Sequence, residues 1–328
     1  MALLLTREDI QTLLTMDEAI QAVEEGFRQH ALGKVTMPLR TAITIPEHHG
    51  LDLIMPAYVG GEGGGLGLKV VSVYPDNPRQ HNLPTILATV LLQDPRTGDL
   101  LAIMDGTYLT AMRTGAAGGV AARYLARPDA RRAGIFGAGV QARTQLEALC
   151  RVRPIEEAWV YDPMQEHATR FAEEMSQRLG IPVHVAREPR QAVEGMDVIV
   201  TATTSRTPVF DGAWVAPGTH VTGVGSHTPD GRELDSTLIQ RARVVVDERG
   251  AALSEAGDLI IPLQEGLIRE DHIAAELGEV VAGLRVGRET PEQVTVFKSV
   301  GLALQDIAAA TRVYQMARAK GVGMEVSL

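Results

Sequence analysis

The sequence predicts an α/β fold, a doubly wound parallel sheet with helices on both faces, accompanied by a smaller mixed α+β domain that occupies the first third of the chain. Three observations predict it. From Arg131 onward, short apolar runs alternate with helical segments, which is the pattern of parallel strands joined by crossover helices. One junction, Gly137-Ala-Gly139-Val-Gln-Ala142, is glycine-rich, follows the apolar run Ala133-Gly-Ile-Phe136 and leads into a helix. Before Thr110, by contrast, one amphipathic helix is followed by runs separated by turn residues, the signature of a mainly antiparallel sheet.

Taken in order, Thr15-Met-Asp-Glu18 predicts a capping box. Ile20, Val23, Phe27 and Ala31 then recur at helical spacing until Gly33 stops the helix. Arg40 to Ile45 alternates like a half-buried strand, and Leu66 to Tyr74 reads as a second strand, preceded by a glycine cluster from Gly60 to Gly65. Thr85 to Gln93 and Leu100 to Asp105 flank Asp94-Pro-Arg-Thr-Gly-Asp99, a hairpin loop by composition. An alanine-rich helix runs from Thr110 to Ala126. Six strands are then expected: Gly134 to Phe136, Ala158 to Tyr161, Val183 to Ala186, Val198 to Thr201, His220 to Val224 and Val244 to Asp247. The tail from Ser299 to Ala319 reads as one long helix returning to the first domain, so the expected domains are 1–120 with 305–328, and 121–304.

The glycine junction points to a dinucleotide. A pyrophosphate needs a helix N-terminus, where unpaired N–H groups and the dipole favour an anion, and side chains at 137 and 139 would block its approach. Asp162 ends the next apolar run, Ala158-Trp-Val-Tyr161, about 20 residues on, which is where a carboxylate meets the ribose hydroxyls. A carboxylate accepts from a free 2′-OH and repels a 2′-phosphate, so NAD(H) is the expected cofactor. The alternative is that Asp162, ahead of Pro163, only opens the next helix, and that an arginine such as Arg170 lets NADP(H) bind.

Composition narrows the partners. The chain has 328 residues, 45% of them apolar and 22% charged, enough for two domains with their own cores. A net charge of −10 argues against nucleic acid and anionic membranes and leaves a small metabolite as the expected partner. A single cysteine, Cys150, excludes an internal disulfide framework and fits a reducing compartment. The start, Met1-Ala-Leu-Leu-Leu-Thr6, lacks the basic region and longer apolar core of a signal peptide, and no apolar stretch approaches the roughly 18 residues of a membrane helix. A cytoplasmic protein is expected.

Several charged residues need an explanation. Lys69 lies inside an apolar strand, on the face it shares with Val71 and Val73, so its ammonium should meet either a protein carboxylate or an anionic ligand; the alternative is a strand-end lysine reaching water. Arg113, early in the helix ahead of the nucleotide domain, and Arg40, at the start of a strand, are further cations able to meet at a domain cleft and grip a carboxylate. Taken singly, each arginine also suits a structural role. His227, in Gly223-Val-Gly-Ser-His-Thr-Pro229, follows the carboxyl end of a strand, where open α/β sheets bind ligands; it suits a proton carrier and equally a plain loop histidine. No histidine pair has zinc-ligand spacing, and no metal is expected.

The chain resembles the ornithine cyclodeaminase and mu-crystallin family over essentially its whole length. The matching motifs are Met37-Pro-Leu-Arg40, Met55-Pro-Ala57, Gly67-Leu-Lys-Val-Val-Ser-Val-Tyr-Pro75, Leu83-Pro-Thr85, Asp105 to Ala116, the glycine junction, Glu233-Leu-Asp235 and Lys298-Ser-Val-Gly301. The resemblance implies a Rossmann domain, and a homodimer whose first domain, joined by the C-terminal helix, forms the subunit contact. It implies that Arg40, Lys69 and Arg113 hold the carboxylate of an amino or imino acid, with Lys69 nearest the reacting carbon and Val300 close to the substrate. Thr85, Arg113, Gly137, Gly139, Val140, Gln141, Asp162, Thr203, the Val221 to Val224 strand end with Gly223 and Val224, and Ser299 are implied on the cofactor side.

Two departures bear on the reaction. Ornithine cyclodeaminases carry an aspartate where this chain has His227 and a glutamate where it has Leu53, and both acids serve ornithine's amines. Without them, the resemblance implies a single hydride transfer to C=N: reduction of a cyclic imino acid such as Δ1-pyrroline-2-carboxylate or Δ1-piperideine-2-carboxylate, with Lys69 and His227 as the candidate catalytic residues. The alternatives are ornithine cyclodeamination, an alanine-type amino acid dehydrogenase, and a mu-crystallin-like protein that binds NAD(P)H without turnover.

Overall fold

The structure, a computed structural model, describes residues 1–61 and 63–327. The chain divides into two compact units, Met1–Arg113 with Leu302–Leu328, and Thr114–Gly301. These divisions fall earlier than the 120/121 and 304/305 boundaries read from the sequence. The first lies within a helix, Gly106–Leu125, whose even run of alanine and glycine carries no mark of a boundary.

The first unit is built on a sheet of eight strands, ordered Met324–Val326, Ala2–Leu5, Leu100–Asp105, Ile86–Gln93, Gly65–Val73, Gly50–Val59 and Val35–Thr36, with Thr41–Ile45 also paired to Gly50–Val59. Most pairs are antiparallel, as expected, but Ala2–Leu5 runs parallel to Leu100–Asp105. Gly50–Val59, ten residues long, is a strand that periodicity alone did not reveal, because Pro56 interrupts its pattern. Two helices, Met16–Ala31 and Ala303–Lys320, cover one face. The first buries the expected stripe: Ile20, Val23 and Phe27 are at most 1% exposed, each contributing about 1.5–3 kcal/mol. Thr15 caps it by accepting from the Glu18 N–H, and the reciprocal capping box sits one helix earlier, at Thr6 and Asp9 of Arg7–Leu13. Gly67 lets the C-terminal helix lie close, since a Cβ there would stand 2.2 Å from the Leu91 carbonyl oxygen and 3.0 Å from Ile307.

The opposite face of this sheet is apolar and half-exposed. Pro56, Leu68, Leu91 and Ile103 sit opposite one another across four strands, and Ile54 and Val70 form a neighbouring row.

The second unit holds eight parallel strands in the order Val183–Val185, Glu157–Tyr161, Arg132–Phe136, Val198–Thr201, His220–Gly223, Thr295–Lys298, Arg243–Val246 and Ile273–Glu276. The six expected strands are all present. The two further ones, Ile273–Glu276 and Thr295–Lys298, are short and contain Glu276 and Lys298, which broke the apolar signal. Ile135, Val160, Val198 and Val200 are at most 2% exposed, as in a sheet covered on both faces. Strand order reverses between Arg132–Phe136 and Val198–Thr201, and the carboxyl edge at such a switch point is where open α/β sheets bind ligands. The tail helix begins at Ala303 rather than Ser299: Ser299, Val300 and Gly301 form a turn in which the Ser299 hydroxyl and the Val300 and Gly301 N–H groups all donate to Asp247 Oδ2 at 2.8–2.9 Å. Among the described residues no helix is long and apolar enough to cross a membrane.

Candidate active site

In the second unit, a cleft of about 1110 Å³ opens at the switch point, lined among others by Gly137, Gly139, Asp162, Met164 and Thr203. Gly137 adopts φ +93, and a Cβ there would lie 2.6 Å from the Ala202 carbonyl oxygen, so both conformation and space require glycine. Gly139 is the N-cap of the helix Val140–Val152; it offers no side-chain cap, and a Cβ there would meet nothing within 4 Å. The first N–H groups of that 13-residue helix therefore lack a capping side chain on the open side of the turn, the arrangement that receives a pyrophosphate. Asp162 Oδ2 accepts from the Ala138 N–H at 3.1 Å and Oδ1 from the Met164 N–H at 2.9 Å, which fixes the carboxylate at the cleft wall with lone pairs remaining for a ribose diol. Arg143, not singled out in the sequence, braces the turn: it donates to the Ala138 carbonyl at 2.5 Å, pairs with Glu174 at 2.8 Å and lies 5.2 Å over the Phe171 ring. Arg170 lines the same cleft and is paired with Glu166 at 3.6 Å. These residues fit a dinucleotide.

In the first unit, Lys69 is 1% exposed, which rules out the strand-end lysine reaching water. Its partner is Asp306, fully buried in the first turn of the C-terminal helix: Nζ lies 2.8 Å from each carboxylate oxygen and donates to Oδ1. Arg113, 5% exposed, donates through Nε to the same Oδ1 at 2.8 Å and through Nη1 to Gln305 Oε1 at 2.5 Å. Two cations thus share one carboxylate. Burial above all, then the Arg113 charge, and to a lesser degree Arg40, bring the Lys69 ammonium down to about 7, against the opposing pull of Asp306. Gln305 Nε2 and Thr110 Oγ1, the latter one turn before Arg113, are buried without a hydrogen-bond partner among the described residues. A buried cluster with surplus positive charge and unmatched polar atoms is suited to a monoanionic ligand.

The remaining candidates are distributed as follows. Arg40 is half-buried, just before Thr41–Ile45. Thr85 precedes Ile86–Gln93 in the first unit and accepts from the Tyr74 N–H through its carbonyl. Val140 is 64% exposed at the start of its helix, and Gln141 is half-buried; neither lines the cleft. Gly223 ends its strand and accepts from the Ser299 N–H at 3.1 Å, and Val224 donates to Thr201. Ser299 and Val300 are buried in the Asp247 turn. His227 is exposed in the loop after His220–Gly223.

Sequence reasoning missed Asp306, and it named Glu233 only within a family motif, with no role. The signal for Asp306 was present: Gln305-Asp306 interrupts the run Leu302-Ala-Leu and Ile307-Ala-Ala-Ala310, and a carboxylate among core positions needs a cation. Which cation was not readable, since Lys69 and Arg113 lie 237 and 193 residues away.

Comparison with known proteins is consistent with this geometry. The profile of the Ornithine cyclodeaminase/mu-crystallin family matches residues 1–321. The structure of Thermococcus litoralis Δ1-pyrroline-2-carboxylate reductase, in complex with NADH and L-proline, is 50% identical, with a TM-score of 0.96 over 99% of this chain and 100% of that one. An archaeal alanine dehydrogenase dimer with bound NAD is 42% identical, with a TM-score of 0.93 over 99% of each chain. The Δ1-pyrroline-2-carboxylate reductase of Bacillus cereus is 39% identical over 325 residues, 99% of each chain.

Proposed function

The chain belongs to the ornithine cyclodeaminase/mu-crystallin family, and from that premise we propose that it is an NADH-dependent reductase of a small cyclic imino acid that also carries a carboxylate. The observation that carries this reading is the buried cluster of Lys69 and Arg113 on Asp306, with Arg40 within electrostatic reach, whose surplus charge matches one substrate carboxylate. When bound, NADH supplies the hydride for the C=N carbon. Asp162 holds its ribose and the turn at Gly137 and Gly139 admits its pyrophosphate. Arg113 supplies a planar fork to the carboxylate, and Lys69, charged at or below about pH 7, holds the substrate and a transferable proton. Leu53 and Met55 lie on the face of Lys69, 7% and 3% exposed, which suits ring methylenes and offers nothing to a second ammonium such as that of ornithine. His227 is the candidate alternative proton donor.

The test is NADH oxidation with Δ1-pyrroline-2-carboxylate, Δ1-piperideine-2-carboxylate, and pyruvate with ammonia. Turnover is expected with the cyclic imines above all. Faster turnover with pyruvate and ammonia moves the assignment to an amino acid dehydrogenase, which the alanine dehydrogenase relative supports as the second reading. Efficient release of ammonia from ornithine, without imine reduction, would reject both.

Cofactor choice rests on Asp162. Asp162→Asn should raise the NADH dissociation constant about 10- to 100-fold, the value of hydrogen bonds to a charged acceptor, and should leave NADPH binding unchanged or better. Fluorescence titration with both nucleotides measures it, and equal losses for the two would show that Asp162 does not discriminate.

The second copy of a homodimer is the occupant we assign to the apolar sheet face of the first unit, where Pro56, Leu68, Leu91 and Ile103 form a continuous row. Light scattering should return twice 35.3 kDa, and Leu68→Glu with Leu91→Glu should return monomers. A wild-type monomer refutes this assignment.

A further inference from the structure

We propose that Glu233 is a positioning residue that holds the loops after Val198–Thr201 and His220–Gly223 in the form that receives the nicotinamide half of the dinucleotide; this rests on the NAD reading above. Glu233 is fully buried, and its carboxylate accepts four hydrogen bonds. Oε1 takes the Thr203 N–H and hydroxyl, both at 2.7 Å, and Oε2 takes the Thr201 hydroxyl at 2.9 Å and the Gly225 N–H at 2.7 Å. One side chain therefore bridges two loops from neighbouring strands. The packing leaves no slack: a Cβ on Gly225 would stand 2.2 Å from the Thr203 carbonyl oxygen and 2.4 Å from Glu233 Oε1, and one on Gly137 would stand 2.6 Å from the Ala202 carbonyl oxygen. The backbones at 137, 202–203 and 225 thus form three consecutive steps along the carboxyl edge of the sheet.

Glu233 is itself held. Asp258 Oδ1 accepts from the Glu233 and Leu234 N–H groups at 2.8 and 2.9 Å, and its Oδ2 lies 2.9 Å from Lys298 Nζ. Lys298, fully buried, donates on to the Ser226 carbonyl at 2.6 Å, next to His227. The direction of the ligand follows from the strand order. A dinucleotide with its adenosine ribose on Asp162, at the end of Glu157–Tyr161, and its pyrophosphate at Gly139 has its second nucleotide directed over the ends of Val198–Thr201 and then His220–Gly223. Those are the two loops that Glu233 ties.

Glutamine cannot substitute. The Thr203 and Gly225 N–H groups donate to different oxygens, so the amide nitrogen of a glutamine must face one fixed donor and drive that loop away. The experiment titrates NADH and AMP into the wild type and Glu233→Gln, with Glu233→Asp as the milder variant should the first not fold. The expected result is a loss of about 10-fold or more in NADH affinity with AMP affinity within about 2-fold, and faster hydrogen exchange at the Gly225 amide. A carboxylate that serves stability alone would lower the melting temperature and leave the NADH to AMP ratio unchanged; that result, or equal loss of both ligands, overturns the proposal. Failure of the wild type to bind NADH would instead reject the cofactor reading.

Discussion

Lys69→Met is expected to reduce imine turnover by on the order of 10³-fold or more while NADH affinity stays unchanged, because it removes both the point charge that holds the substrate and the proton beside it. Methionine fills the volume of the lysine stem, and Asp306 keeps Arg113, so the protein should fold. Steady-state kinetics with fluorescence titration of NADH measures it; retention of more than about a tenth of wild-type kcat/KM would remove Lys69 from the chemistry. The pH dependence has a definite sign. Lys69 is charged below about 7, so kcat/KM for imine reduction should fall as pH rises through that value. Asp306 raises this pKa, and Asp306→Asn should therefore move the limb to lower pH, which ionisation of the imine itself would not do. Stability runs the other way. Burial leaves the folded protein with fewer protons on Lys69 than the unfolded chain between about 7 and the ordinary 10.5, so stability should rise with pH across that window relative to Lys69→Met.

Asp306→Ala should be the most destabilising single change in the cluster, at about 3–5 kcal/mol, because it leaves Lys69 and Arg113 buried beside each other without their shared anion. That corresponds to a fall of roughly 6–20 °C in Tm. Lys69 can relieve part of the cost by losing its proton, so the loss should shrink as pH rises. Adding Lys69→Met should recover part of it by removing one of the two like charges, giving a coupling of about 0.5–3 kcal/mol in a double-mutant cycle. Additive losses, or a Tm within about 2 °C of wild type, would mean that the cluster is not electrostatically coupled.

Much of the nucleotide half was legible because its determinants are local. Glycine at 137 and 139, the helix that follows and Asp162 at the next strand end all fall within a span of 26 residues, and Gly137, Gly139 and Asp162 line the cleft. The two missed strands show the limit of the same method, since Lys298 and Glu276 make them read as polar, yet Lys298 is satisfied by Asp258 and Ser226 from distant segments. Asp306 sits 237 and 193 residues along the chain from the cations it holds, and Glu233 sits 32 and 30 residues from the threonines it ties to Gly225.

By itself the sequence determined the α/β class, the dinucleotide turn and the fact that Lys69 requires a counter-charge, because steric allowance at glycine, strand alternation and the cost of burying an ammonium are properties of short segments. Only the tertiary structure decided that Asp306 is that counter-charge, that Arg113 shares it, and that Glu233 joins two loops. An ion pair or hydrogen bond depends on angstrom-scale distances between residues that chain folding alone brings together.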